Sequence, residues 1–160
     1  MKLVELFEGE LVYDESTETG IAAYGDSGDI ASYAQGGGQV RGTRLTGNLR
    51  WTNHPRRRAD GVALPHFHGV LSTSDGADIL FTFRGYNWGL VKAAKGHHPL
   101  QPFERRAGLA ALTLAAGDDR YRWVNNVFAM LEADIVPYAA PELWRVRAFE
   151  CVNDLVDVRG

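Results

Sequence analysis

The sequence predicts an all-β fold: a single-domain antiparallel β-barrel with an internal pocket, spanning residues 1–160. Three observations lead there. Short apolar or alternating runs recur along the chain with Gly, Asp and Pro turn signals between them, the pattern of sandwiches and barrels. A hairpin centred on Asp75-Gly76 carries apolar side chains on both faces, as a strand covered on both sides would. A chain of 160 residues is long enough to close one barrel around one core.

The elements follow in order. Lys2 to Tyr13 mixes Leu, Val, Phe and Tyr with Glu and reads as one long strand or a strand pair. Thr17 to Gly38, rich in Gly, Ser, Asp and Ala and ending in Gly36-Gly37-Gly38, reads as a loop or weakly structured crossing. It lacks the Lys-Ser/Thr ending of a phosphate loop. Gln39 to Trp51 gives one or two short strands, and Thr52 to Gly61 a polar loop. The hairpin comes next. Asp75-Gly76 signals a two-residue turn, which pairs Ser74 with Ala77 and places His68 opposite Phe83 and His66 opposite Gly85. In that register His66, His68 and Val70 share a face with Ile79, Phe81 and Phe83. Tyr86 to Arg106 reads as a long irregular stretch that forms a lid or rim. Leu109 to Ala115 and Arg120 to Val136 read as a second hairpin, and Leu143 to Val152 as the last strand.

Composition narrows the function classes. The formal net charge of −3 argues against a dedicated nucleic-acid or membrane-surface binder, which would be basic. Arg56-Arg57-Arg58 reads as a solvated loop. The single cysteine, Cys151, excludes an internal disulfide and a CxxC zinc pattern; it sits in an alternating apolar run as a small core residue. The N-terminus is too acidic for a signal peptide, and no run approaches the ~20 apolar residues of a membrane span. A cytoplasmic protein is the expectation.

Gly117-Asp118-Asp119-Arg120-Tyr121-Arg122-Trp123-Val124-Asn125 resembles the Gly-Asp-Pro-Arg-Tyr-x-Trp-Leu-Asn stretch of a bacterial family, the domain of unknown function 3237. Gly42 to Gly47, Asp60-Gly61 and Leu71 to Ile79 are similar to other patches of that family, in the same order. The resemblance covers roughly Gly42 to Asn125. It implies a small antiparallel barrel of the shape used by allene oxide cyclase-like proteins, whose relatives bind apolar small molecules in the lumen. It implies no particular reaction. Where the family tends to have Asp-x-Arg entering the hairpin, this chain has His66-Phe67-His68.

Those histidines admit three readings. As acid/base groups, their unperturbed pKa lies near operating pH, and two imidazoles on one wall would move a proton between positions of an enone or enol. As metal ligands, residues at i and i+2 on a strand point the same way, and Pro65-His66-Phe67-His68 looks like the opening of a cupin motif. The rest of that motif is missing, so a third ligand would come from His54, His97, His98 or Glu150. As plain strand residues, they only hydrogen-bond to neighbours. Asn125 and Tyr121 are candidates to orient a carbonyl or stabilise an oxyanion. Trp51, Phe81, Phe83, Trp88 and Trp123 would line a pocket for an apolar ring, with Arg84 for an anionic group; each aromatic would equally suit a plain core.

The expected function is an enzyme acting on a small, largely apolar, carbonyl-bearing molecule without a cofactor, by isomerisation, cyclisation or lyase-type elimination. A role in secondary metabolism would fit by analogy of fold. The rivals are a cupin-like enzyme holding a divalent metal on His66 and His68, and a non-catalytic carrier or sensor. The partners expected are the substrate and, as in many small barrels with exposed edges, a second copy in a homodimer.

Overall fold

The computed structural model describes residues 1–14, 19–22, 29–92, 103–137 and 141–155. The described residues form eleven strands: β1 (Lys2–Tyr13), β2 (Thr19–Ile21), β3 (Ile30–Arg41), β4 (Gly47–Asn53), β5 (Arg56–Arg57), β6 (Ala63–Leu64), β7 (His66–Thr73), β8 (Asp78–Lys92), β9 (Phe103–Ala116), β10 (Ala129–Val136) and β11 (Leu143–Val152). Eight of them close an antiparallel barrel in the order β1, β3, β4, β7, β8, β9, β10, β11 and back to β1. The three short strands extend one rim: β2 lies against β3, while β5 and β6 bridge β3 to β8 through the Ile30–Arg57, Arg56–Leu64 and Ala63–Asn87 pairs.

Alternation gives each strand an inner and an outer face. Leu11, Val40, Leu49, Phe67, Leu71, Ile79, Phe83, Leu112, Leu131 and Val146 are buried in the lumen. Phe67 stacks on Phe83 at 4.2 Å between centroids and meets Trp51 at 4.9 Å. These rings fill the middle of the barrel and leave only about 20 Å³ among Phe7, Leu11, Leu49 and Phe81. Val124, fully buried on a 3₁₀ helix at Arg122–Asn126, plugs the lower end.

Four sequence expectations need correction. Within the glycine-rich stretch Thr17 to Gly38, the described residues include β2 and the first part of β3, which runs straight through Gly36-Gly37-Gly38; residues 17, 18 and 23–28 lie outside the described residues. Gly36 belongs there because any Cβ would lie 2.5 Å from the Trp51 ring and 2.1 Å from the Val12 carbonyl oxygen. Of Tyr86 to Arg106, the described residues are strand rather than irregular rim, since β8 continues to Lys92 and β9 begins at Phe103; residues 93–102 lie outside the described residues. Arg120 does not start a returning strand, because the 3₁₀ helix intervenes before β10. The fourth concerns the hairpin. Its loop is Ser74-Asp75-Gly76, three residues rather than two. Thr73 N–H donates to the Ala77 carbonyl at 2.8 Å, and Gly76 alone in the loop has a positive φ, +90°. This is the turn-plus-bulge geometry that three-residue hairpins use.

That one extra residue changes every pairing. His66 faces Arg84, Phe67 faces Phe83 and His68 faces Thr82. A one-residue slip turns a strand over. The inner face therefore belongs to Phe67, Phe81 and Phe83, and His66 and His68 stand on the outside of the barrel.

Candidate functional site

The upper end of the lumen differs from the rest. Here β1, β4, β8, β9 and β11 end or pass with Tyr13, Asn53, Asn87, Arg106 and Trp144 turned inward, around a cavity of about 40 Å³. Among the described residues the buried polar side chains are Asn53, Thr73, Asn87 and Arg106, and all but Thr73 lie at this end. Ser32, Arg57 and Glu142 complete the polar lining.

Most of these groups have work within the fold. Asn53 Oδ1 accepts from the backbone N–H of His66 at 3.0 Å, and its Nδ2 donates to the Tyr13 hydroxyl at 2.9 Å. Arg106 Nη2 donates to the Gly61 carbonyl at 2.9 Å, holding the loop after β5 against β9. Trp144 Nε1 donates to Glu142 Oε1 at 2.9 Å and fixes that carboxylate at the rim. Asn87 is 4% exposed and faces the same cavity, its Oδ1 lying against Gly108 of the neighbouring strand.

The residues singled out from sequence fall in three places. Trp51, Phe81 and Phe83 are in the lumen, below the polar end, packed as core. Tyr121, Trp123 and Asn125 are at the opposite end of the barrel. Asn125 clips the 3₁₀ helix to β9 by two bonds to the backbone of Ala116, at 2.8 and 2.9 Å. Tyr121 donates to Asp75 Oδ1 at 2.9 Å, and Arg120 bridges Asp75 and Asp118. The Arg120 guanidinium holds the Asp118 carboxyl down at about 2. Arg44 lies 3.8 Å over the Trp123 ring and pairs with Glu150. The segment carrying the family resemblance thus closes the lower end of the barrel and ties it to the 74–76 hairpin.

His66, His68, Arg84 and Trp88 occupy the outer face. The two imidazoles lie 4.3 Å apart between centroids, and His68 Nδ1 is 3.4 Å from Thr82 Oγ1. His66 is half-buried with its Nε2 shielded and making no hydrogen bond among the described residues. Burial first, then Arg84, His68 and His54, lowers its pKa below the ordinary 6.5. The strand wall separates both rings from the polar lumen. Among the described residues no three His, Cys, Asp or Glu side chains converge as a metal site. Glu150 is at the far end, paired with Arg44, and His97 and His98 lie outside the described residues.

The fold has solved counterparts. A β-barrel-like protein from Acinetobacter baumannii matches with a TM-score of 0.70 and 16% identity, over 93% of this chain and 96% of that one. A protein of unknown function from Clostridium acetobutylicum matches at 0.73 and 16% identity, over 94% and 97%. An enzyme from Penicillium herquei matches at 0.59 and 21% identity, over 93% and 94%. The likeness is one of fold. No protein-family model and no curated protein matches the chain. Among the described residues no helix is long and apolar enough to cross a membrane.

Asn53, Asn87 and Arg106 were not among the residues singled out from sequence. Each is a lone polar residue in its own strand, with no motif around it. The signal that finds them is parity: Asn53 follows Trp51, Asn87 follows Phe83 and Gly85, and Arg106 precedes Gly108 and Ala110, all in steps of two.

Proposed function

We propose that this barrel is an enzyme for a small carbonyl-bearing molecule, with its reacting end in the polar upper lumen. The observation that carries the reading is that the buried Asn87 faces the same cavity as Arg106 and Glu142. A cavity of about 40 Å³ takes the carbonyl head of a ligand and not its body. The body then extends past Ser32, Pro55 and Ala63 toward the rim.

The chemistry follows from the groups present. Asn87 donates to the carbonyl oxygen, and the Arg106 guanidinium supports the negative charge that gathers there as an α C–H bond breaks. The Glu142 carboxylate accepts that proton. Returning it to a different carbon of the same enolate completes an isomerisation; loss of a β-substituent or attack by the enolate carbon gives elimination or cyclisation. No organic cofactor or metal takes part in these steps. His66 and His68 play no direct part in this scheme, since the wall intervenes. The structural likeness to an enzyme from Penicillium herquei supports this reading only at the level of fold.

The test is α-proton exchange of a probe ketone, 2-cyclohexenone, in D₂O. The protein should accelerate exchange, and Glu142→Gln and Asn87→Leu should each lower the acceleration by about 10²-fold or more. Equal exchange by the parent and both variants would sink the proposal.

A further inference from the structure

The outer face of the β8–β9 ladder is unlike the rest of the barrel surface. Around β1, β10 and β11 the outside carries alternating charges, such as Glu8, Glu132 and Arg147. Along β8 and β9 it carries Tyr86, Trp88, Leu90, Val91 and Leu109, which are 50%, 40%, 58%, 47% and 44% exposed. The residues adjoin one another. Tyr86 pairs with Leu109 and Trp88 with Ala107, and the Tyr86 and Trp88 rings lie 6.0 Å apart, nearly parallel. The ladder also outruns its neighbours. β8 and β9 have 15 and 14 residues against eight in each of β7 and β10, so its upper part stands beyond the ladders beside it.

We infer that this face binds a second copy of the chain in a two-fold dimer, with the axis running along the strands between β8 and β9. Two features select that partner and that axis. The first is shape. A two-fold axis along the strands lays each β8 over the partner's β9 at the same level, so that Trp88 sits on the other copy's Ala107 and Tyr86 on its Leu109, apolar on apolar. An isologous interface requires this kind of self-complementarity. The second is charge. Arg84 stands next to the patch on β8, and Glu132 and Asp134 beside it on β10, the last two already paired to Arg147 and Arg105. The same axis turns the Arg84 guanidinium of one copy toward the acidic β10 flank of its partner.

The area suffices. Side chains of this size, half exposed, each leave roughly 100 Å² uncovered, so five supply about 500 Å² per copy and about 1,000 Å² per pair, the floor for a specific interface. The outer wall of a barrel is convex, and two strands are about what two such walls can bring together.

Sedimentation of the full-length chain across micromolar concentrations tests the inference. Twice the monomer mass is expected. Tyr86→Glu with Leu109→Glu should raise the dissociation constant about 100-fold or more, with an unchanged melting temperature. Leu3→Glu, an exposed apolar position on β1, should leave the dimer intact. Ala111→Arg, at another exposed position, sets a guanidinium against the Arg84 of the other copy, so the test survives a double variant that fails to fold. A monomeric parent overturns the inference. So does a dimer that withstands Ala111→Arg, or one that Leu3→Glu disrupts equally.

Discussion

Asn87 shows how a single residue marks a site. Its amide takes an inward position of β8 beyond Phe83, at the level where Arg106 and Glu142 make the lumen polar. His66 shows the opposite case, a residue whose chemistry suggests a site but whose position does not. Its shielded ring beside Arg84 resists protonation, so its folded pKa lies below 6.5. The unfolded chain then takes up the proton first. The contribution of His66 to stability is full above pH 6.5 and declines as the pH falls from there toward its lower folded value. Melting curves across that window should show a slope that His66→Gln flattens; an unchanged slope would mean that the ring is more open to water than its surroundings imply.

At the scale of elements, the 74–76 hairpin decides what the histidines can do. Asp75-Gly76 fits a two-residue loop and a three-residue loop equally well by composition. Thr73 arbitrates: its Oγ1 accepts from Ala77 N–H at 2.8 Å and donates to Asp75 Oδ1 at 2.6 Å, which stabilises the longer loop. Only Gly76 then needs a positive φ. Gly76 and Gly117 both have open space where a Cβ would go, and only Gly76 has the unusual φ. Gly76→Val should therefore cost about 1–3 kcal/mol more than Gly117→Val in denaturant titrations; equal losses would show that the backbone there is not constrained. The position of the turn was legible in the sequence, but its length was not. That difference of one residue moved His66 and His68 from the lumen to the outside. β3 was misread for a related reason. Its glycines look like a loop in composition, yet they are strand residues, Gly36 held small by the Trp51 ring of its cross-strand pair and by the Val12 carbonyl, contacts between strands that no local pattern shows.

At the scale of the molecule, the barrel was readable because period-two alternation and turn signals repeat throughout, and Leu143–Val152 emerged with its bounds intact. The site was not, because it is built from single residues of separate strands that only closure of the barrel brings together. The motif most distinctive in sequence, Gly117 to Asn125, proved to seal the end away from the cavity. The central claim is that a carbonyl ligand enters beside Asn87 and not at the histidines. The direct measurement is chemical-shift mapping of the isotope-labelled protein during titration with 2-cyclohexenone. The account predicts the largest shifts at the side-chain amides of Asn87 and Asn53 and the indole N–H of Trp144, with the His66 and His68 rings unmoved. Shifts centred on those two rings, or none at Asn87, would contradict it.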